Sequence, residues 1–250
     1  MSTRTFHVWR GAGDEGGLVE YEIEVEIGMV VLDAMREIQR TQAEDLAIRW
    51  NCKAAKCGSC SAEVNGRPRL MCNTRLDEIP EGEAIRVEPM RAFPVIRDLV
   101  TDVSWNYEVN KRIPPFTPAP DAEWLIAQED VDRMSEFRKC IECFLCQDVC
   151  HVLREHDAKN GYFGPRFMVR IAALEMHPLD RADRAELLAG QAGLGLCNIT
   201  KCCSEVCPEG IHITDNAIIP LKERLVDRYY DPLPMLARRL TRRRREVGPV

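Results

Sequence analysis

Cys140-Ile141-Glu142-Cys143-Phe144-Leu145-Cys146-Gln147-Asp148-Val149-Cys150 spaces its thiols C-x2-C-x2-C-x3-C, the run that wraps cuboidal iron–sulfur clusters. Downstream, Cys197-x5-Cys203-x3-Cys207-Pro208 repeats the frame with one change. Cys197 aligns with Cys140, Cys203 with Cys146 and Cys207 with Cys150, while Thr200 stands where Cys143 would fall. In proteins with two such clusters the fourth Cys of each run ligates the other cluster. That rule assigns Cys140, Cys143, Cys146 and the crossing Cys207 to a [4Fe-4S] cluster. Cys197, Cys203 and the crossing Cys150 remain, and three thiolates suit [3Fe-4S]. Cys202 is a rival ligand, but choosing it breaks the x3 spacing to Cys207. It reads as a buried thiol outside the set.

Thiolates at x2 spacing also suit tetrahedral zinc, which would make the chain a zinc-stapled interaction module. Zinc sites usually come as two C-x2-C pairs across a long gap. Here four cysteines fall within eleven residues, so iron–sulfur is the expected chemistry.

Upstream, Cys52-x4-Cys57-x2-Cys60 has the plant-type [2Fe-2S] spacing. Gly58 and Ser59 are small, which lets the backbone curl around a cluster and aim N–H groups at its sulfurs. Cys72 is the expected fourth ligand, returned toward the loop by a tight hairpin at Asn65-Gly66. Phe6–Arg10 and Val19–Val25 alternate as half-buried strands do, with Gly11, Gly13, Gly16 and Gly17 as the loop between them. Val31, Ala34, Met35 and Ile38 recur at helical spacing, giving an amphipathic helix over residues 30–40. Strand, strand, helix opens a β-grasp domain. Ile85-Arg86-Val87-Glu88 reads as its closing strand, ended by Pro89, and residues 95–103 as a short helix.

The expected architecture is α+β. A β-grasp [2Fe-2S] ferredoxin-like domain covers residues 1–112, and a proline-rich linker covers 113–122. An all-helical two-cluster ferredoxin-like domain covers 123–237, and a basic tail covers 238–250. Within the helical part, Asp130–Lys139 delivers Cys140, and Pro165 opens a helix with Phe167, Met168, Ile171 and Leu174 on its apolar face. Asp180 is placed to cap a next helix through Leu188, and Ile218, Leu221, Leu225 and Tyr229 mark a final one.

Composition narrows the classes. At 250 residues the chain has room for one or two domains. The N-terminal Met1-Ser2-Thr3-Arg4-Thr5-Phe6-His7-Val8 has no apolar h-region, so the twelve cysteines read as metal ligands in a reducing compartment rather than as disulfides. No run of eighteen apolar residues exists, so a soluble or peripheral protein is expected. The formal net charge of −6 gives no pull toward nucleic acid. Six arginines crowd residues 238–245; a solvated tail, and contact with an anionic membrane surface or an acidic partner, are the two readings of that charge.

The order of these motifs resembles the iron–sulfur subunit of succinate dehydrogenase/fumarate reductase. Cys57-Gly58-Ser59-Cys60, the hairpin to Met71-Cys72, the Arg97-Asp98-Leu99-Val100 segment and both later Cys runs follow the family order over nearly the whole chain. The resemblance implies an electron wire. In that family a flavoprotein subunit with covalent FAD oxidises succinate to fumarate, or runs the reverse. Electrons pass to [2Fe-2S], [4Fe-4S] and [3Fe-4S], and end on a quinone at membrane-anchor subunits, some of which carry haem. The chain itself is then expected to hold no catalytic residue and no nucleic acid, and to sit peripherally on the cytoplasmic face of the cell membrane. The alternative is the corresponding subunit of a quinol- or thiol-driven fumarate reductase. Thiol-driven members often carry repeated Cys-Cys-Gly elements, whereas Ser204 follows Cys202-Cys203 here.

Some positions depart from the family. Many members have Pro after the Cys matching Cys150, a Trp a few residues on, and His after the Cys matching Cys197. These places hold His151, Glu155 and Asn198, so the quinone-pocket residues are not carried over. The stretch Cys150–Glu155 looks more like the branch with a single-polypeptide, haem-bearing anchor, which often uses menaquinone. His151 and His156 have two readings, as quinone-side proton donors and as helix-surface histidines.

Overall fold

The computed structural model describes residues 2–232; the arginine-rich stretch 238–250 lies outside them. The first strand, β1 (Ser2–Ala12), pairs antiparallel with β2 (Glu15–Val25) along their full length, Phe6 opposite Tyr21. Tyr21, Ile23 and Val25 point inward, while Glu20, Glu22 and Glu24 point out, the period of two that a one-sided sheet requires. Three of the four expected loop glycines are in the ladder instead, with Gly11 facing Gly16 and Gly17 facing Arg10. The loop shrinks to Gly13-Asp14, and the Trp9 ring covers Gly16, where a Cβ would sit 2.4 Å from it.

Helix α1 (Val31–Thr41) buries Val31, Leu32, Ala34, Met35 and Ile38 against this sheet. The sheet is completed by β3 (Ser61–Val64), β4 (Arg67–Leu70) and β5 (Ile85–Glu88), in the order β2-β1-β5-β3-β4. β5 runs parallel to β1, Phe6 beside Ile85, so the first and last strands of the sheet meet at its centre. All four residues of β3 are buried, Glu63 included.

Residues 95–103, expected to be helical, form a small antiparallel pair, β6 (Val95–Arg97) and β7 (Val100–Thr101). The cause is Asp98, whose φ is 48°. Its buried carboxylate accepts the N–H groups of Gly11 (3.0 Å) and Ala47 (2.8 Å) and Nε of Arg10 (3.0 Å). A helix could not present that side chain to three distant donors. The helix comes later, as α2 (Ser104–Lys111), its first N–H taken by Asp102 at 2.9 Å.

From there on a second core forms around α6 (Pro165–Glu175), which buries Phe167, Met168, Ile171 and Leu174. Val109 of α2 and Ile113 belong to this core. The helix leading to Cys140 is α3 (Gln128–Ser135), followed by a tighter 3-10 turn at Phe137–Lys139. Short helix α4 (Leu145–Asp148) lies within the first Cys run and carries Cys146, and α5 (His151–Arg154) begins directly after Cys150.

Asp180 caps nothing. It pairs at 2.8 Å with Arg184, a fully buried guanidinium that also donates to the carbonyls of Pro114 (3.0 Å) and Pro115 (2.9 Å). The proline-rich linker is thereby strapped to the helical part, and α7 is only Ala185–Ala189. Helix α8 (Cys202–Glu205) follows, and a wide turn at Ile213–Ile218 leads into α9 (Ile219–Tyr229), with Pro220 in the first turn where no N–H is needed.

Candidate cluster-binding sites

Cys52, Cys57 and Cys60 lie on a loop between α1 and β3 that has no regular structure. Lys53, Ala55 and Gly58 take positive φ there (55°, 54° and 69°), which turns successive N–H groups to one side. Ala54 and Lys56 donate to Cys52 Sγ at 3.3 and 3.4 Å. The β3–β4 hairpin turns at Asn65-Gly66, both at positive φ, and a 3-10 turn at Met71–Asn73 then sets the Cys72 N–H 3.4 Å from Cys60 Sγ. Burial pushes Cys60 up to about 12. At Cys57 burial acts the same way, but hydrogen bonds from Ser59 and Cys52 outweigh it and hold the thiol at about 7. The rim of this loop, residues 51–54, is exposed.

The second set surrounds an apolar chamber. Cys140, Cys143, Cys146 and Cys207 line it together with Ile141, Phe144, Val169 and Ile213. Burial pushes Cys143 up to about 12 and Cys140 and Cys146 upward as well, and the neighbouring thiols add to it. Cys140, Cys143 and Cys146 in an apolar wall resist ionising together unless a metal takes the charge, and sulfur donors of this kind suit iron–sulfur clusters. Among the described residues no three His, Cys, Asp or Glu side chains converge tightly enough to enclose a single ion.

Around the third set, Cys150 and Cys203 are buried and Cys197 is half-buried. Cys203 is raised to about 11 by burial, with Cys202 and Cys197 close enough to add to the effect, and Cys150 to about 12 by burial, with Cys202 and Cys203 beside it. Tyr162 is buried among Cys150, Cys197 and Cys203, with its hydroxyl beside the Cys197 thiol. Cys202, expected to be buried, is half-buried, its Sγ 3.2 Å from Thr200 Oγ1.

Backbone geometry repeats between the two later runs. Glu142 and Phe144 have φ of 56° and 61°, and Ile199 and Lys201 have 63° and 63°. The frame that aligns Cys197 with Cys140 aligns these residues too, so Thr200 occupies the backbone place of Cys143.

The sets adjoin one another. Ser61 Oγ lies 2.8 Å from the Cys143 carbonyl and 2.9 Å from that of Gly58. The charge of Cys203 reaches Cys146. His151 and His156 stand with ring centroids 6.4 Å apart, the first half-buried and the second exposed. Three residues that spacing alone does not reveal stand at these sites. Arg166 lines the second chamber, and Tyr162 serves the third set. Gln147 accepts the Arg166 N–H (3.2 Å) and donates to the Phe163 carbonyl (3.0 Å). Arg166 and Tyr162 flank the Gly164-Pro165 helix start, the one local signal that could have pointed to them.

Residues 5–108 match the family described as "2Fe-2S iron-sulfur cluster binding domain", and residues 136–211 match "4Fe-4S dicluster domain". A chain of the Mycobacterium smegmatis Sdh1 complex in the apo form is 59% identical and superposes with a TM-score of 0.90, covering 92% of this chain and 98% of that one. The fumarate reductase iron-sulfur subunit of Mycobacterium tuberculosis is 34% identical over 202 residues, 76% of this chain and 79% of that protein. The chain belongs to the iron–sulfur subunit family of succinate dehydrogenase and fumarate reductase. One subunit of the CoM/CoB fumarate reductase of Methanothermobacter marburgensis is 35% identical over 216 residues, 85% of this chain but 42% of that protein. As a member of the family the chain is an electron-transfer subunit of an oxidoreductase, α+β in class, with a [2Fe-2S] and a [4Fe-4S] binding region. Among its described residues no helix is long and apolar enough to cross a membrane.

Proposed function

We propose that the chain conducts electrons between a flavoprotein partner with covalent FAD, which oxidises succinate, and a quinone at membrane-anchor subunits. Cys52, Cys57, Cys60 and Cys72 hold [2Fe-2S] in this reading. Cys140, Cys143, Cys146 and Cys207 hold [4Fe-4S], and Cys150, Cys197 and Cys203 hold [3Fe-4S]. Bound clusters supply one-electron exchange; the chain's own residues set where it happens. The observation that carries the reading is the unbroken succession of thiol sets, the first touching the second at Gly58 and Cys143, the second reaching the third at Cys146 and Cys203.

The two ends differ in a way that supports the direction of the wire. The first set ends in an exposed, polar rim at residues 51–54, suited to a soluble partner. The third ends beside two exposed large apolar side chains, Leu196 and Ile199, set among polar Asn198, Thr200 and Lys201, a mixed rim that a membrane anchor can cover. The chain divides as residues 1–112 and 123–237 about the linker 113–122, with α2 reaching from the first part into the second core. Anchor subunits hold the complex at the cytoplasmic face of the cell membrane, and any haem belongs to them rather than to this chain.

EPR on the anaerobic complex before and after succinate, with iron and acid-labile sulfide assays, tests this. A three-iron signal in the oxidised state that gives way on succinate addition to a reduced [2Fe-2S] signal is expected. Iron–sulfur signals that succinate cannot reduce would favour the fumarate reductase reading, which the Methanothermobacter relative supports. Zinc without sulfide would overturn both.

A further inference from the structure

The second chamber contains one charged side chain that the thiol set does not explain. Arg166 is the second residue of α6, is only 6% exposed, and lines the chamber beside Cys140, Cys143, Cys146 and Cys207. One end of its guanidinium pairs with the carboxylate of Glu142, which lies between Cys140 and Cys143. Its backbone N–H is held by Gln147, so the start of the helix is fixed. Its Nε is buried and has no protein partner. A buried, permanently charged donor facing a chamber needs an acceptor there.

We propose that Arg166 is a positioning residue of the second cluster, its Nε–H donating to a cluster sulfur and its fixed charge raising the cluster's reduction potential, with Glu142 as the counterweight. The inference rests on the ligand set proposed above for Cys140, Cys143, Cys146 and Cys207. One electron enters on reduction and no bond breaks, so the cluster gains a unit of negative charge. A cation and a hydrogen-bond donor held against it favour that more negative state, and charge and sulfur hydrogen bonds are among the quantities that set such potentials. Glu142, half-exposed and paired with the guanidinium, offsets part of the charge.

The test is an anaerobic EPR redox titration of the intact complex carrying Arg166→Gln, Arg166→Lys or Glu142→Gln. Arg166→Gln should make the four-iron cluster about tenfold harder to reduce, equivalent to about 59 mV for one electron. Arg166→Lys, which keeps charge but not the planar fork, should fall between it and the parent. Glu142→Gln should move the potential the opposite way, while the [2Fe-2S] potential stays put as an internal reference. An unchanged potential in Arg166→Gln with the cluster retained would overturn the proposal, as would Glu142→Gln shifting downward. If Arg166→Gln loses the cluster, Glu142→Gln decides alone. A Cys143→Ala variant separates the layers: a four-iron signal that survives it overturns the ligand set itself.

Discussion

A Cβ built on Gly58 would lie 2.6 Å from the Cα of Cys143. The loop that carries the first thiol set therefore rests on the backbone of the second, and only a residue without a side chain permits it. Gly58 also has φ of 69°, so geometry and space demand glycine together.

Gly58→Ala is expected to separate the two loops. The left-handed backbone alone disfavours a side chain by about 1–2 kcal/mol, and the clash adds to that. Lower iron per chain, a lower melting temperature and slower reduction of the second cluster after the first should appear together in assay, thermal scan and freeze-quench EPR.

Thr200→Cys supplies a thiol at the place where the repeated backbone frame already matches Cys143. The third site should then accept a fourth iron, and the oxidised three-iron EPR signal should vanish. Persistence of that signal would contradict the alignment of the two runs.

Tyr162→Phe removes the buried hydroxyl among Cys150, Cys197 and Cys203. Folding should change little, because the ring stays in place and only a weak O–H···S contact to Cys197 is lost. The three-iron cluster should become harder to reduce, read by redox titration.

Asp148 predicts a pH effect. Burial, chiefly, pushes its carboxyl up to about 7; the Ala92 N–H pulls the other way and Glu63 adds to the rise. Between about pH 4, where an unfolded Asp ionises, and pH 7 the folded chain keeps a proton that the unfolded chain has released. This group's contribution is therefore fully present below that window and is lost as pH rises through it. Melting temperatures of Asp148→Asn at pH 6 and 8 should differ less than those of the parent. Equal differences would remove Asp148 as the responsible group.

Arg184→Met should destabilise the helical part by about 3–5 kcal/mol, since it leaves the buried Asp180 carboxylate without its cation. It also frees the Pro114 and Pro115 carbonyls from their donor. Thermal unfolding of the purified complex measures it.

The grouping of the thiols was legible because its signals are local. Spacing alone singled out the thiol sets, and Asn65-Gly66 announced the turn that returns Cys72 to Cys60. What escaped depends on partners far along the chain. Asp98 decides residues 95–103 through Gly11 and Ala47, donors from two other segments. Arg184 looks like one surface arginine among many until its carbonyl partners 69 and 70 residues away are seen. Arg166 matters through a chamber wall, not through any motif.

Glu142, Phe144, Ile199 and Lys201 all hold left-handed backbone without being glycine. For L-residues that conformation is disfavoured by about 1–2 kcal/mol each, and a β-branched residue such as Ile199 is a worse case still. The loops are thus wound against their own preference, and a chain lacking its metal has less to keep them wound. Iron starvation should accordingly register as turnover: unloaded copies open at these loops and become protease substrates, while loaded copies survive. Strain in the binding loops lets the cell's degradation machinery tell finished subunits from unfinished ones.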